Sequence, residues 1–159
     1  VYRPAPVGTN AAWLLPALGV AVLLIALAAL GWPVRALVRR HFGATFPLKG
    51  SALTAWRLSR LAAWGVIVAV GGWLGFVAAF TADIGSVGGP LDWLIQSLRV
   101  LTPLASFGLV LAAGWHLLLC LRQQRRWTMR LGAVLLLASG LLCVWVTMAF
   151  NLYGFGLVY

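Results

Sequence analysis

The chain has 159 residues, 63% of them hydrophobic and 9% charged, which is more apolar surface than a water-soluble domain of this size can hide in one core. Only two acids, Asp83 and Asp92, stand against twelve lysines and arginines, giving a formal charge of +10 and an isoelectric point near 11.6. Lipid is the solvent these numbers require. They also argue against nucleic acid as a partner, because the basic residues lie in short segments between long apolar runs, where they meet lipid phosphates rather than a duplex groove.

No formal charge appears between Arg3 and Arg35. The stretch from Ala11 to Trp32 is long enough, at about 1.5 Å per residue, to cross a hydrocarbon layer of roughly 30 Å. A second span is predicted over 61–82, closed by Asp83 and then by Gly85, Gly88, Gly89 and Pro90, the composition of a short loop. The third covers 100–121, entered through Leu91 to Arg99, and the fourth covers 131–152, followed by an apolar tail ending at Tyr159. Runs this long and continuously apolar are helices, since barrel strands alternate over about ten residues. The expected fold is all-α: one membrane domain over residues 1–159, a polytopic bundle of four transmembrane helices. Pro16 and Pro103 fall in the first turns of their spans, where a missing N–H costs least, so the spans should be straight there.

Orientation follows from the connections. The link over 35–60 carries Arg35, Arg39, Arg40, Lys49, Arg57 and Arg60, and the link over 122–130 carries Arg122, Arg125, Arg126 and Arg130. The remaining bases, Arg3 and Arg99, share the other side with both acids and with the loop over 83–99. The positive-inside rule therefore places the two basic links in the cytoplasm and both chain ends outside it. The same arginines are candidates for contact with anionic phospholipid headgroups, each nearby cation contributing about 1 kcal/mol toward an acidic leaflet. Trp32, Trp56, Trp64, Trp93 and Trp127 sit close to predicted span ends, where an indole buries its ring and keeps its N–H wet. Within the first link, Gly43, Pro47 and Gly50 predict irregular chain over 39–50, and Ser51 to Arg60 reads as a helix continuous with the second span, with Ser51 as its N-cap.

Candidate chemistry is sparse. His116 is the one ionisable residue within a span, and such residues are functional suspects by default. It lies four residues before Cys120, near the cytoplasmic end of the third span, so the alternative to a ligand contact is a neutral imidazole bonded to a carbonyl or to headgroup water. A haem held by two histidines needs a second one at matching depth, and His41 lies in a link; no cofactor or metal is expected. Cys120 and Cys143 lack metal-ligand spacing and read as small hydrophobes. Proton-coupled transport needs a carboxylate within the membrane, whereas Asp83 and Asp92 flank the external loop. The Gly71, Gly75 pair has the spacing that lets two helices approach closely, either within the bundle or with another subunit. No serine is followed three positions later by Lys, the single Lys49 is in a link, and no phosphate loop, zinc pattern or G-x-S-x-G occurs, so no catalytic residue is assigned.

The run Trp32-Pro33-Val34-Arg35-Ala36-Leu37-Val38-Arg39-Arg40, followed by Phe42-Gly43 and a segment from Leu48 that ends in Arg57-Leu58-Ser59-Arg60, resembles the membrane tail that follows the catalytic domain in some bacterial serine hydrolases of the class C β-lactamase and penicillin-binding-protein-like family. Ala149-Phe150-Asn151-Leu152 and the last Tyr159 resemble the close of those tails. The resemblance implies an exported hydrolase domain covalently attached ahead of Val1, with Val1-Tyr2-Arg3-Pro4 as the junction, in a bacterial inner membrane. The family's Ser-x-x-Lys and Tyr-x-Asn elements have no counterpart here, so none of its catalytic residues carries over. A start at Val1 without Met and without an export signal likewise reads as a fragment of a longer polypeptide. Three functions are thus expected: a membrane anchor for that hydrolase, a free-standing four-helix protein binding a lipid, quinone or other hydrophobic ligand with His116 as polar contact, or a subunit assembling with a partner through Gly71 and Gly75.

Overall fold

A computed structural model describes residues 11–43, 50–82, 92–124 and 126–149. They form four helices, α1 (Ala11–Phe42), α2 (Ser51–Ala82), α3 (Asp92–Arg122) and α4 (Trp127–Ala149), each long and apolar enough to cross a membrane. The fold is an all-α four-helix bundle, as the apolar runs require. With 32 residues each, α1 and α2 extend about 48 Å, beyond a hydrocarbon layer of roughly 30 Å. Their ends therefore reach into the headgroup region or past it.

Helix limits differ from span limits in an informative way. Helix α1 continues through Pro33 to Phe42 and stops at Gly43, whose φ of +61° is favourable only for glycine. Residues 39–42, expected to be irregular, are thus the last turn of α1, and a residue that ends a membrane span need not end its helix. The continuity of Ser51–Arg60 with the second span holds, but the cap is Gly50 (φ +61°), whose carbonyl accepts from the N–H groups of Leu53 and Thr54. Helix α3 starts at Asp92, so residues 92–99 are helical rather than loop, and Asp92 places its charge where the helix dipole favours an anion. Pro103 consequently lies well inside α3 and Pro16 a turn inside α1, neither in a first turn. The turn from α3 to α4 is tight: Gln124 adopts φ +46° and the Arg126 carbonyl accepts from Met129. Arg125, residues 83–91 and the end of the fourth predicted span lie outside the described residues.

Neighbours in sequence are neighbours in space. Helix α2 packs most extensively on α3 and α3 on α4, while α1 closes the ring more sparsely against α2 and α4. A Cβ on Gly65 would lie 3.2 Å from Ala105 Cβ, and one on Gly72 would meet Leu98 Cδ2 at 2.5 Å. Rising numbers on α2 thus face falling numbers on α3, so the pair is antiparallel. Gly114 beside Leu137 and Gly140 beside Val110 show the same for α3 and α4. The buried positions of α3, Leu98, Thr102, Ala105, Leu109, Ala112, His116 and Cys120, recur in steps of three and four, a near-heptad seam. On α2 the matching positions are Ala52, Ala55, Ser59, Ala63, Val66 and Ala69. Small side chains predominate in these seams, and Leu15, Leu37, Leu104, Leu111 and Leu118 point outward. That is the arrangement for a lipid solvent, in which apolar bulk gains nothing by leaving the surface and close backbone approach supplies the cohesion.

Gly71 and Gly75 do not take part in this packing. Both face outward with nothing within 4 Å of a built Cβ, and Gly65, Gly72 and Gly140 make the close approaches instead. We expect Gly65→Val to destabilise the bundle by about 1–3 kcal/mol through overpacking, because Ala105 Cβ cannot rotate away, whereas Gly71→Ala leaves stability unchanged or slightly raised. Reversible unfolding in mixed micelles titrated with SDS checks both; equal effects at the two positions would contradict the packing.

Candidate functional site

Two features stand apart from routine helix packing, one at each end of the bundle. At the end where α2 finishes and α3 begins, a cavity of about 320 Å³ opens between the helices. Its walls include Leu18 of α1, Val66, Val70 and Trp73 of α2, and Cys143 and Val146 of α4. Helix α1 contributes only Leu18, in keeping with its sparse packing.

Three hydroxyls, Thr102, Ser106 and Thr147, also reach this cavity, and each donates to its own helix one turn back. Thr102 Oγ1 donates to the Leu98 carbonyl at 2.6 Å, Ser106 Oγ to the Thr102 carbonyl at 2.8 Å, and Thr147 Oγ1 to the Cys143 carbonyl at 2.8 Å. In a medium with no water to compete, this local bond is the cheapest way to satisfy a hydroxyl proton. Thr102 also accepts the indole N–H of Trp73 at 2.9 Å, a hydrogen bond from α2 to α3. The Trp73 ring meets Phe76 edge-on, with centroids 6.1 Å apart. The hydrogen-bonding groups of the wall are therefore engaged with the protein, and methyl, methylene and indole surfaces face the space. Such a wall binds hydrocarbon and offers little to a polar headgroup.

The other end is basic. Arg35, Arg39, Arg40 and Arg122 lie on the last turns of α1 and α3, Arg57, Arg60 and Arg130 on the first turns of α2 and α4, and Arg126 directly precedes α4. Trp56 is buried and packs edge-on against Trp32 at 6.4 Å in a small cluster with Ala52 and Leu119. Trp93 and Trp127, by contrast, are largely exposed, as a tryptophan at a membrane boundary should be. The Arg60 guanidinium sits 5.5 Å from the Trp56 ring centroid, a cation–π contact. Between α1 and α2 a groove of about 480 Å³ runs from Trp32 and Leu61 to Arg39 and Arg57.

His116 is buried in α3, with Nε2 3.7 Å from Cys120 Sγ. Its Nδ1 and the Nε of Arg130 are buried with no hydrogen-bond partner among the described residues. Neither the cavity nor the groove includes His116. The structure thus brings the arginines to one end but separates His116 from the cavity, and it adds Trp73, Thr102, Ser106 and Thr147, which the sequence reading did not single out. For Thr102 and Ser106 the signal was present as hydroxyl and small residues repeating every three or four positions in α3. Among the described residues no three His, Cys, Asp or Glu side chains group to hold a metal.

No family model, curated protein or solved structure matches this chain. The Trp73–Thr102 hydrogen bond joins side chains of two different helices, α2 and α3. A double-mutant cycle of Trp73→Phe and Thr102→Val, read by SDS unfolding, should give a coupling of about 0.6 kcal/mol and no more than roughly 1.7. A coupling of zero would mean that the indole does not hold α2 to α3.

Proposed function

We propose that this chain is a membrane bundle that takes a hydrocarbon chain, such as a lipid acyl or isoprenoid tail, between its helices at the end remote from the arginines. The observation that carries the reading is the apolar cavity of about 320 Å³ whose hydroxyl protons are spent on backbone carbonyls. A volume near the lower end of ligand pockets, roughly 300–1,000 Å³, suits part of a chain better than a whole amphiphile. A quinone head is a poorer fit, because its carbonyls need donors and Trp73 already donates to Thr102. His116 has no part in this site. A diazirine-bearing acyl chain reconstituted with the protein should crosslink to α2 and α4 around Val70 and Val146, and Val70→Trp should reduce that labelling about tenfold. Labelling spread evenly over the lipid-facing leucines and unaffected by V70W would sink the reading.

A second reading is the tether of an exported serine hydrolase, which the resemblance noted above implies and for which the support is the distribution of charge. The described arginines other than Arg99 gather at one end, while Ala11, Ala82, Asp92 and Ala149 lie at the other. Under the positive-inside rule the latter end is outside, the side an exported domain ahead of Val1 requires. Alkaline phosphatase fused before Val1 is expected to be active, and the same reporter inserted after Gly43 inactive. The reverse pattern, or a gene with no in-frame Ser-x-x-Lys domain upstream, removes this second reading and leaves the first in place.

A further inference from the structure

The hydrocarbon cavity has a floor and a mouth, which lie at different depths. Val66 and Cys143 line its deep end and also pack in the buried core with Ile25 and Leu109, so the space is blind toward the middle of the bundle. At the other end Leu74 and Val77 line the same space and yet are 65% and 53% exposed. Side chains that border a cavity and also face outward mark where it opens. The opening is therefore on the flank of a span, where the surrounding solvent is lipid.

Packing decides which flank. Gly65 against Ala105, Gly72 against Leu98 and the Trp73–Thr102 bond close α2 on α3, and Gly140 against Val110 and Leu109 closes α4 on α3. The α4 residues of the wall, Cys143, Val146 and Thr147, are buried or half-buried. Both exposed wall residues belong to α2, and its other neighbour, α1, touches the cavity with Leu18 alone among the described residues. The mouth thus lies between α1 and α2. Its depth narrows the choice of ligand. From Val66 to Val77 is about 16 Å along the helix axis, close to the thickness of one leaflet, half of a hydrocarbon layer of roughly 30 Å. Val77 stands about 7 Å short of the end of α2 at Ala82, so the mouth lies beneath the headgroups and the floor near the midplane. An acyl chain of that leaflet covers the same depth in the same direction.

We propose that the cavity is loaded sideways by a phospholipid of the leaflet at the end remote from the arginines. One acyl chain passes tail first between α1 and α2 to Val66 and Cys143, while the headgroup stays at the membrane surface near Ala82. The proposal rests on the reading of this cavity as a hydrocarbon site and adds to it the ligand class, a resident membrane lipid rather than a hydrophobe captured from water. The wall asks nothing of the headgroup, because its hydroxyls and the Trp73 indole are already bonded within the protein. Selection is accordingly by chain and not by charge.

The test is photolabelling of the intact chain in nanodiscs. The probes are phosphatidylcholine carrying a diazirine either beside the terminal methyl or beside the ester of one acyl chain, and a free fatty acid carrying the terminal diazirine. Terminal-diazirine phosphatidylcholine is expected to label the floor at Val66 and Cys143, and the ester-side probe the mouth at Leu74 and Val77. The free acid should label the floor too. L74W/V77W, which crowds the mouth and leaves the floor intact, should cut floor labelling about fivefold, the scale of an overpacking cost. Leu104→Trp, exposed on α3 and not in the cavity wall, should leave it unchanged. Floor labelling by the free acid but not by phosphatidylcholine would overturn lateral loading and spare the hydrocarbon site, whereas floor labelling by neither would overturn both. Equal floor labelling in L74W/V77W and wild type would likewise overturn a mouth between α1 and α2.

Discussion

The structure depends on how closely α2 and α3 approach. In lipid no hydrophobic force presses two helices together, because a leucine is as well solvated by acyl chains as by another leucine. Cohesion comes from dispersion between surfaces that fit, and dispersion falls steeply with distance. Gly65 against Ala105 and Gly72 against Leu98 let these two helices meet at contact distance along their length. Buried alanines extend the fit, with Ala55, Ala63 and Ala69 on α2 and Ala105, Ala112 and Ala113 on α3. Helix α4 joins the same face of α3 through Gly140, which accepts Val110 and Leu109.

Helix α1 sits differently, and both candidate sites border it. Its buried contacts, Leu14, Ala21, Ile25 and Ala29, form a single stripe facing the other three helices. Its packing on α2 and α4 is the sparsest in the ring. A helix that closes a ring without a glycine seam leaves gaps on its flanks, one beside Leu18 and another beside Trp32 and Ala36. The first gap is walled by self-satisfied hydroxyls and is apolar. The second is rimmed by arginine and is amphipathic. Packing thus makes the space, and the charge gradient along the bundle decides what each space can hold.

The buried hydroxyls of the bundle follow one rule, from which two nitrogen groups depart. Ser59, Thr102, Ser106, Ser139 and Thr147 all donate to carbonyls of their own helices, so they add polarity to the sequence without adding it to the interior. His116 Nδ1 and Arg130 Nε have no such local acceptor among the described residues. Both lie toward the basic end of the bundle.

Amino-acid order alone determined that the solvent is lipid, that there are four helices, and that the arginines of the links gather at one end. Each of these follows from run length or net charge, which are local and additive along the chain. The tertiary structure decided which face of each helix is inside. Hydropathy could not, because in a bilayer both faces are apolar; the information lay in side-chain volume, where Gly65 and Gly72 matter and Gly71 and Gly75 do not. Helix ends escaped for a related reason: Asp92 and Arg35 interrupt hydropathy without interrupting backbone hydrogen bonding, so α3 starts and α1 finishes beyond the apolar limits. The cavity at Trp73 and the groove at Trp56 were hidden most completely, since each is made by residues from separate helices whose distance is set by packing.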